Sequence, residues 1–229
     1  MAKVAAALNQ PNASKPGWRV LVLLGVAGTA VAIFLFAFAL PYFQLNAEKM
    51  ALYAGREGWI LFHVSTGTVA LALGPFVLWQ GFKRQRMKLH RRIGIAYMAA
   101  IGFSSVAAYY LAFHTQLGWV FGMGLTGLAT AWLAATTLAY ICIRKRMIDQ
   151  HKEWMIRSYV VTFAFVNFRI LVGILQGMGV GTLNEQLAAA SWFCWAVPLL
   201  ITELILQGRK VLRPGFASTA VPSGRRSTP

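Results

Sequence analysis

The sequence predicts an all-α integral membrane protein with six transmembrane helices, in which spans two to five form a four-helix core. Three observations carry this prediction. Mean hydropathy is +0.57 and only 12% of the residues are charged, about half the usual share for a soluble domain. Apolar stretches about twenty residues long recur along the chain, and at the rise of a helix that length matches the hydrocarbon thickness of a bilayer. Lysine and arginine concentrate in the segments between every second pair of stretches, the pattern of a positive-inside topology.

Residues 1–17 are polar, contain Lys3 and Lys15, and read as a cytoplasmic N-terminal segment. The apolar run that follows, residues 20–40, exceeds the h-region of about 7–15 residues in a cleaved signal peptide. It reads as an uncleaved first span over 18–42. Span two is expected over 59–82, span three over 93–114, span four over 119–143, span five over 154–176 and span six over 187–206. Trp18, Trp59, Trp119 and Trp154 each open a span, where an indole prefers to sit at headgroup level. The membrane domain thus covers 18–206. The tail, 207–229, carries Pro214, Gly215, Pro222 and Gly224 and is expected to be a disordered cytoplasmic segment.

Orientation follows from the loops. Lys83, Arg84, Arg86, Lys88, Arg91 and Arg92 separate spans two and three, Arg144, Lys145, Arg146 and Lys152 separate four and five, and Arg209, Lys210 and Arg213 follow span six. The other side has Lys49 and Arg56 against Glu48, Glu57 and Glu185. Both termini are therefore expected in the cytoplasm, with the chain in a bacterial inner membrane. The net charge of +16 reads as topology and contact with anionic lipid headgroups, not as a nucleic-acid surface, because it flanks apolar spans. Cys142 and Cys194 both lie inside spans and are not expected to pair; no CxxCH motif for covalent haem is present.

Polar residues at membrane depth are the functional candidates, since a charge within a span costs about 2.5–3.5 kcal/mol on insertion scales. Arg157, just inside span five, and Glu203, one turn before the inner end of span six, are placed to form an ion pair. Arg169 lies about 22 Å along span five from Trp154, in the outer half, and points about 120° away from Arg157. It needs a partner of its own. His63 sits about 6 Å into span two from the outer side, at the level of Arg169, so the two are candidate substrate-binding residues. Gly67, Ala70 and Gly74 follow His63 on one helical face, which suits a close helix neighbour or a flat ligand. His90 and His151 open spans three and five on the inner side. Two imidazoles at matched depth on facing helices suit the axial ligation of a haem b iron, with Arg157 beside them for a propionate. His114 ends span three on the outside, but 24 residues from His90, about 36 Å, it stands at the water boundary; at most one haem is expected.

Gly122, Gly124 and Gly127 spell GxGxxG within an apolar helix, without the preceding strand a dinucleotide site requires, and read as close helix packing. With six acidic residues, carboxylate-based metal sites and two-carboxylate hydrolysis are disfavoured.

Three blocks resemble a family of predicted bacterial membrane proteins catalogued as domain of unknown function 2306: His63, Gly67 and the run from Ala70 to Pro75; His90-Arg91 with Gly94 and Tyr97; and His151 with Trp154-Met155, Arg157-Ser158 and Arg169. They extend over residues 59–176. The resemblance implies a fold and a membrane location and no reaction, and His114 is outside its pattern. The four-helix core is similar at fold level to transmembrane haem-b cytochromes, including the ascorbate-dependent diheme carriers. Taken together, the residues suggest haem-b or quinone-linked electron transfer, with His63 and Arg169 at an outer site for a quinone headgroup or an anionic substrate. The alternatives are a small transporter or channel-like protein in which His63 and Arg169 line a polar pathway, and an accessory membrane subunit without chemistry of its own.

Overall fold

A computed structural model describes residues 18–44, 50–83 and 86–212. Every regular element among them is helical. The first span is α1 (Trp18–Phe34), a π-helical turn (Leu35–Ala39) and α2 (Leu40–Phe43) in direct succession. Spans two to four are α3 (Glu57–Lys83), α4 (Met87–Phe113) and α5 (Trp119–Arg144). Span five is α6 (Ile148–Thr162) and α7 (Ala164–Gly177), and span six is α8 (Leu183–Val211). Five helical stretches are long and apolar enough to cross a membrane, and a shorter apolar one covers Gly28–Phe43.

Three helices start earlier than their apolar patterns. α4 opens at Met87, α6 at Ile148 and α8 at Leu183, so His90 and His151 lie within their helices. Hydropathy marks only the part that sits in hydrocarbon; backbone hydrogen bonding carries each helix on into the polar layer. For the same reason α8 continues to Val211, which corrects the expected disordered start at 207. The remainder of that tail, from residue 213, and the N-terminal segment 1–17 lie outside the described residues, as do Lys49, Glu48 and Arg84.

Successive spans run antiparallel, and α3 to α6 enclose the main core of Val77, Tyr97, Ile101, Trp132, Met155 and Val161. Phe76, Phe103, Val106, Phe193, Leu200 and Leu204 point outward and are exposed, an apolar girdle suited to lipid. Two prolines interrupt the helical ladder. Pro198 withholds the donor that the Cys194 carbonyl would receive, and the Asn167 side-chain amide of α7 supplies one at 3.1 Å. α8 starts with a capping box in which the Thr182 hydroxyl accepts from the Glu185 amide and the Glu185 carboxylate from the Thr182 amide. Both cysteines are free and buried. The glycines of the GxGxxG run serve packing: Gly124 lies against Ser191 of α8, and Gly127 against Trp195.

Candidate functional site

Apart from Arg56, the basic residues of the described loops gather at one end of the bundle, and the polar candidates divide between that end and the other.

At the end away from the basic loops a cavity of about 230 Å³ opens between the first span, α3, α5 and α7. Its walls are largely apolar, with the rings of Phe34, Phe38, Phe121, Phe165, Phe168 and Trp132 among them. His63 and Arg169 both line it, and Arg56 and Gln116 join them. The His63 Nδ1 lies 3.0 Å from the Ser104 backbone carbonyl of α4. A carbonyl only accepts, so Nδ1 carries the proton and Nε2 keeps its lone pair. The Phe165 ring meets the imidazole edge-on at 5.5 Å and holds it from the other side. One turn deeper, a Cβ at Gly67 would make ordinary van der Waals contact with Ser104 and Phe165.

Arg169 donates to the Tyr42 hydroxyl at a long 3.4 Å, and its guanidinium lies over the Phe38 and Phe168 rings at 5.6 and 5.7 Å. None of the ion pairs among the described residues includes it. A guanidinium held by π-faces and one phenol retains most of its five donors for a ligand. Arg56 differs, since its nitrogens already donate to the His114 and Leu52 carbonyls. Tyr53, in the connection before α3, faces the same cavity. Burial first, then the neighbouring Tyr42, pushes its phenol well above the ordinary range, so it stays a neutral donor. His114 does not join His63: it stacks on Tyr110 at 4.2 Å and is exposed.

At the basic end, His90 and His151 are half-buried and each reaches across to a neighbouring helix. His90 Nδ1 donates to the Val77 carbonyl of α3 at 3.1 Å, and His151 Nδ1 to the Ala139 carbonyl of α5 at 2.8 Å. Gly81 makes room for the His90 ring, which would lie 3.3 Å from a Cβ at that position. The two rings are within electrostatic reach of one another. In both the tautomer is set by the carbonyl and Nε2 is the bare nitrogen, the arrangement that second-shell partners impose on metal-ligating histidines. Neutral imidazoles with a bare Nε2 are side chains of the type that can ligate iron.

Arg157 is engaged elsewhere. Its Nε and Nη2 donate to Glu203 at 2.7 and 2.9 Å, Nη1 lies 3.6 Å from Glu153, and the guanidinium covers the Trp154 ring at 4.6 Å. Lys210 pairs with Glu153 at 2.8 Å and Gln207 donates to Glu203 at 2.7 Å. The group ties α6 to the last turns of α8. It leaves Arg157 little capacity for a haem propionate.

Between the two ends lies a buried cluster that hydropathy does not reveal. Tyr97 of α4 crosses to α6, its hydroxyl 3.0 Å from Ser158 and 2.9 Å from Thr162. Trp132 Nε1 donates to Thr162 at 2.7 Å, and Thr136 meets Ser158 at 2.7 Å. Ser and Thr raise no alarm in an apolar span because they can bond to their own helix, as Thr136 and Thr162 also do. The one signal was Ser158, next to Arg157. Replacing Thr162 by Val should strand the Trp132 N–H and loosen Tyr97, lowering unfolding free energy by about 2 kcal/mol in thermal denaturation of the detergent-solubilised protein.

A family model described as a predicted membrane protein matches residues 60–206, which take in α3 to α7 and most of α8. No curated protein and no solved structure matches the chain.

Proposed function

Since this chain belongs to the predicted membrane proteins catalogued as domain of unknown function 2306, we propose that it uses its bundle for quinone-linked electron transfer. The observation that carries the proposal is the cavity, with its apolar and aromatic walls, the His63 imidazole and the Arg169 guanidinium, which has no carboxylate partner among the described residues. A quinone is a flat ring with two carbonyl acceptors. Arg169 donates to one of them, and aromatic faces sandwich the ring. His63 Nε2 is placed to accept a hydrogen bond from a quinol hydroxyl, while the Nδ1 bond to Ser104 holds the ring in the accepting tautomer.

At the other end His90 and His151 would be the residues to hold a haem b through Nε2, and the group would supply one-electron carriage there. The same proposal keeps the basic end in the cytoplasm of a bacterium, against anionic lipid headgroups, with both termini on that side. The lysine and arginine asymmetry supports it. The transport alternative has less support. A path from His63 to Arg157 would cross Trp132 and Tyr97, which are 2% and 0% exposed.

The test is a pair of measurements on detergent-purified protein produced with a haem supply: reduced-minus-oxidised spectra, and titration with a benzoquinone analogue followed by tryptophan quenching. His63→Ala and Arg169→Gln should each weaken quinone binding about tenfold, equivalent to about 1.4 kcal/mol, and leave the Soret band in place. His90→Ala should remove the Soret band and leave quinone binding in place. A protein with neither a Soret band nor quinone quenching, and tolerant of alanine at all four histidines, would instead be an accessory subunit.

A further inference from the structure

We propose that a shallow groove on the outer surface of the first span is the tail subsite of the cavity, so that the ligand is a ring bearing a long hydrocarbon chain that leaves sideways into the bilayer. This rests on the reading of the cavity as a quinone headgroup site.

The groove, about 190 Å³, is lined by Leu35, Phe36, Ala39, Leu40, Phe43 and Thr68. Ala39 and Thr68 also line the cavity, so a methyl group and one threonine side chain form the shared wall between the cavity and the lipid side. The surroundings are built for passage. The wall lies at the π-helical turn, where the Leu40 amide bonds back to the Leu35 carbonyl, and the extra residue in that turn widens the helix locally. Phe36 and Phe43 are 75% and 47% exposed, facing outward as a hydrocarbon chain would require.

Volume decides between a contained ligand and one that protrudes. Pockets that enclose a drug-sized ligand hold about 300–1,000 Å³, whereas this cavity holds about 230 Å³. A substituted ring fits and a long chain does not. Arg169 lies over Phe38 and donates to Tyr42, on the same turns of the first span as Ala39, so a head held by Arg169 has its substituent within reach of the wall formed by Ala39 and Thr68. The gain from the chain is contact and orientation rather than burial from water, because the chain is already in hydrocarbon when the ligand is free in the membrane.

The test uses two probes in lipid nanodiscs: a decyl-substituted benzoquinone and the same ring without the chain. The wild-type chain should bind both. Leu40→Trp and Phe43→Trp fill the groove at residues that do not line the cavity, and each should weaken the decyl probe at least tenfold while changing the chainless probe less than twofold. Retained binding of the chainless ring shows that the cavity of the variant is intact. As a second readout, a photoreactive group at the chain end should label residues 35–43. Equal weakening of both probes in both variants, unchanged binding of the decyl probe, or labelling confined to other helices would overturn the tail subsite while leaving the headgroup site standing. Failure of the wild-type chain to bind either probe would remove the headgroup site, and the tail subsite with it.

Discussion

Replacing Gly124 by leucine is expected to push α5 away from α8 and to lower the free energy of unfolding by about 3 kcal/mol, at the upper end of overpacking effects. A Cβ at Gly124 would stand 2.8 Å from the Ser191 Cβ and 3.0 Å from the Ser191 carbonyl carbon. The second of these is backbone, so no rotamer change relieves it and the helices must separate. Gly74 is an instructive contrast. A Cβ there would run into the ring of Tyr159, but a ring is the end of a side chain and can swing. Gly74→Ala should therefore cost less than Gly124→Ala. The measurement is thermal unfolding in detergent with size-exclusion profiles, and Gly124→Ala combined with Ser191→Gly should recover most of the stability lost by Gly124→Ala alone. If that double variant is no more stable than the single one, the close contact of α5 and α8 is not the cause.

Removing the carboxylate of Glu203 should be the second large effect. Arg157 has a side chain only 7% exposed and donates both of its short bonds to Glu203; Glu153 is farther, at 3.6 Å. Glu203→Ala leaves the guanidinium with that one distant partner and the Trp154 face. Stranding a buried charge costs about 3–5 kcal/mol. Glu153 and the partial exposure of Glu203 place the expected loss near the lower end, about 3 kcal/mol. Arg157→Met together with Glu203→Met removes both charges and fills the same space, and it should be close to neutral. A double variant as unstable as Glu203→Ala would show that the pair stabilises the helix junction by more than mutual neutralisation.

The same residues show how far the sequence could be read. Six apolar stretches and their basic loops suffice for the helices, because hydropathy is a property of each segment by itself. Depth is legible too: counting residues along α3 and α7 brings His63 and Arg169 to one level, and the structure places both on one cavity. Counting also brings Arg157 and Glu203 to one level, yet depth leaves open whether they pair or snorkel apart. Helix rotation about its axis, which the flanking positions do not encode, decides that. Glu153, Lys210 and Gln207 escape as partners because they lie just outside the expected apolar spans, Glu153 before span five and the other two after span six, where a helix that continues into the polar layer still carries side chains inward. Tyr97 and Ser158 enter only through the family resemblance, and Thr162 not at all, since uncharged hydroxyls inside a span do not disturb hydropathy.

What this chain declares in its residue order is the class of solvent it lives in, the number of crossings and which loops share a side, each of them a sum over neighbours in sequence. Only the packed structure decides that His90 and His151 turn their Nδ1 protons to carbonyls of other helices, that Arg157 is occupied, and that a π-turn in the first span thins the wall of a cavity to Ala39 and Thr68. These depend on the crossing and rotation of helices far apart in the chain, and those are set by the fit of side chains such as Ser191 against Gly124 rather than by any local preference.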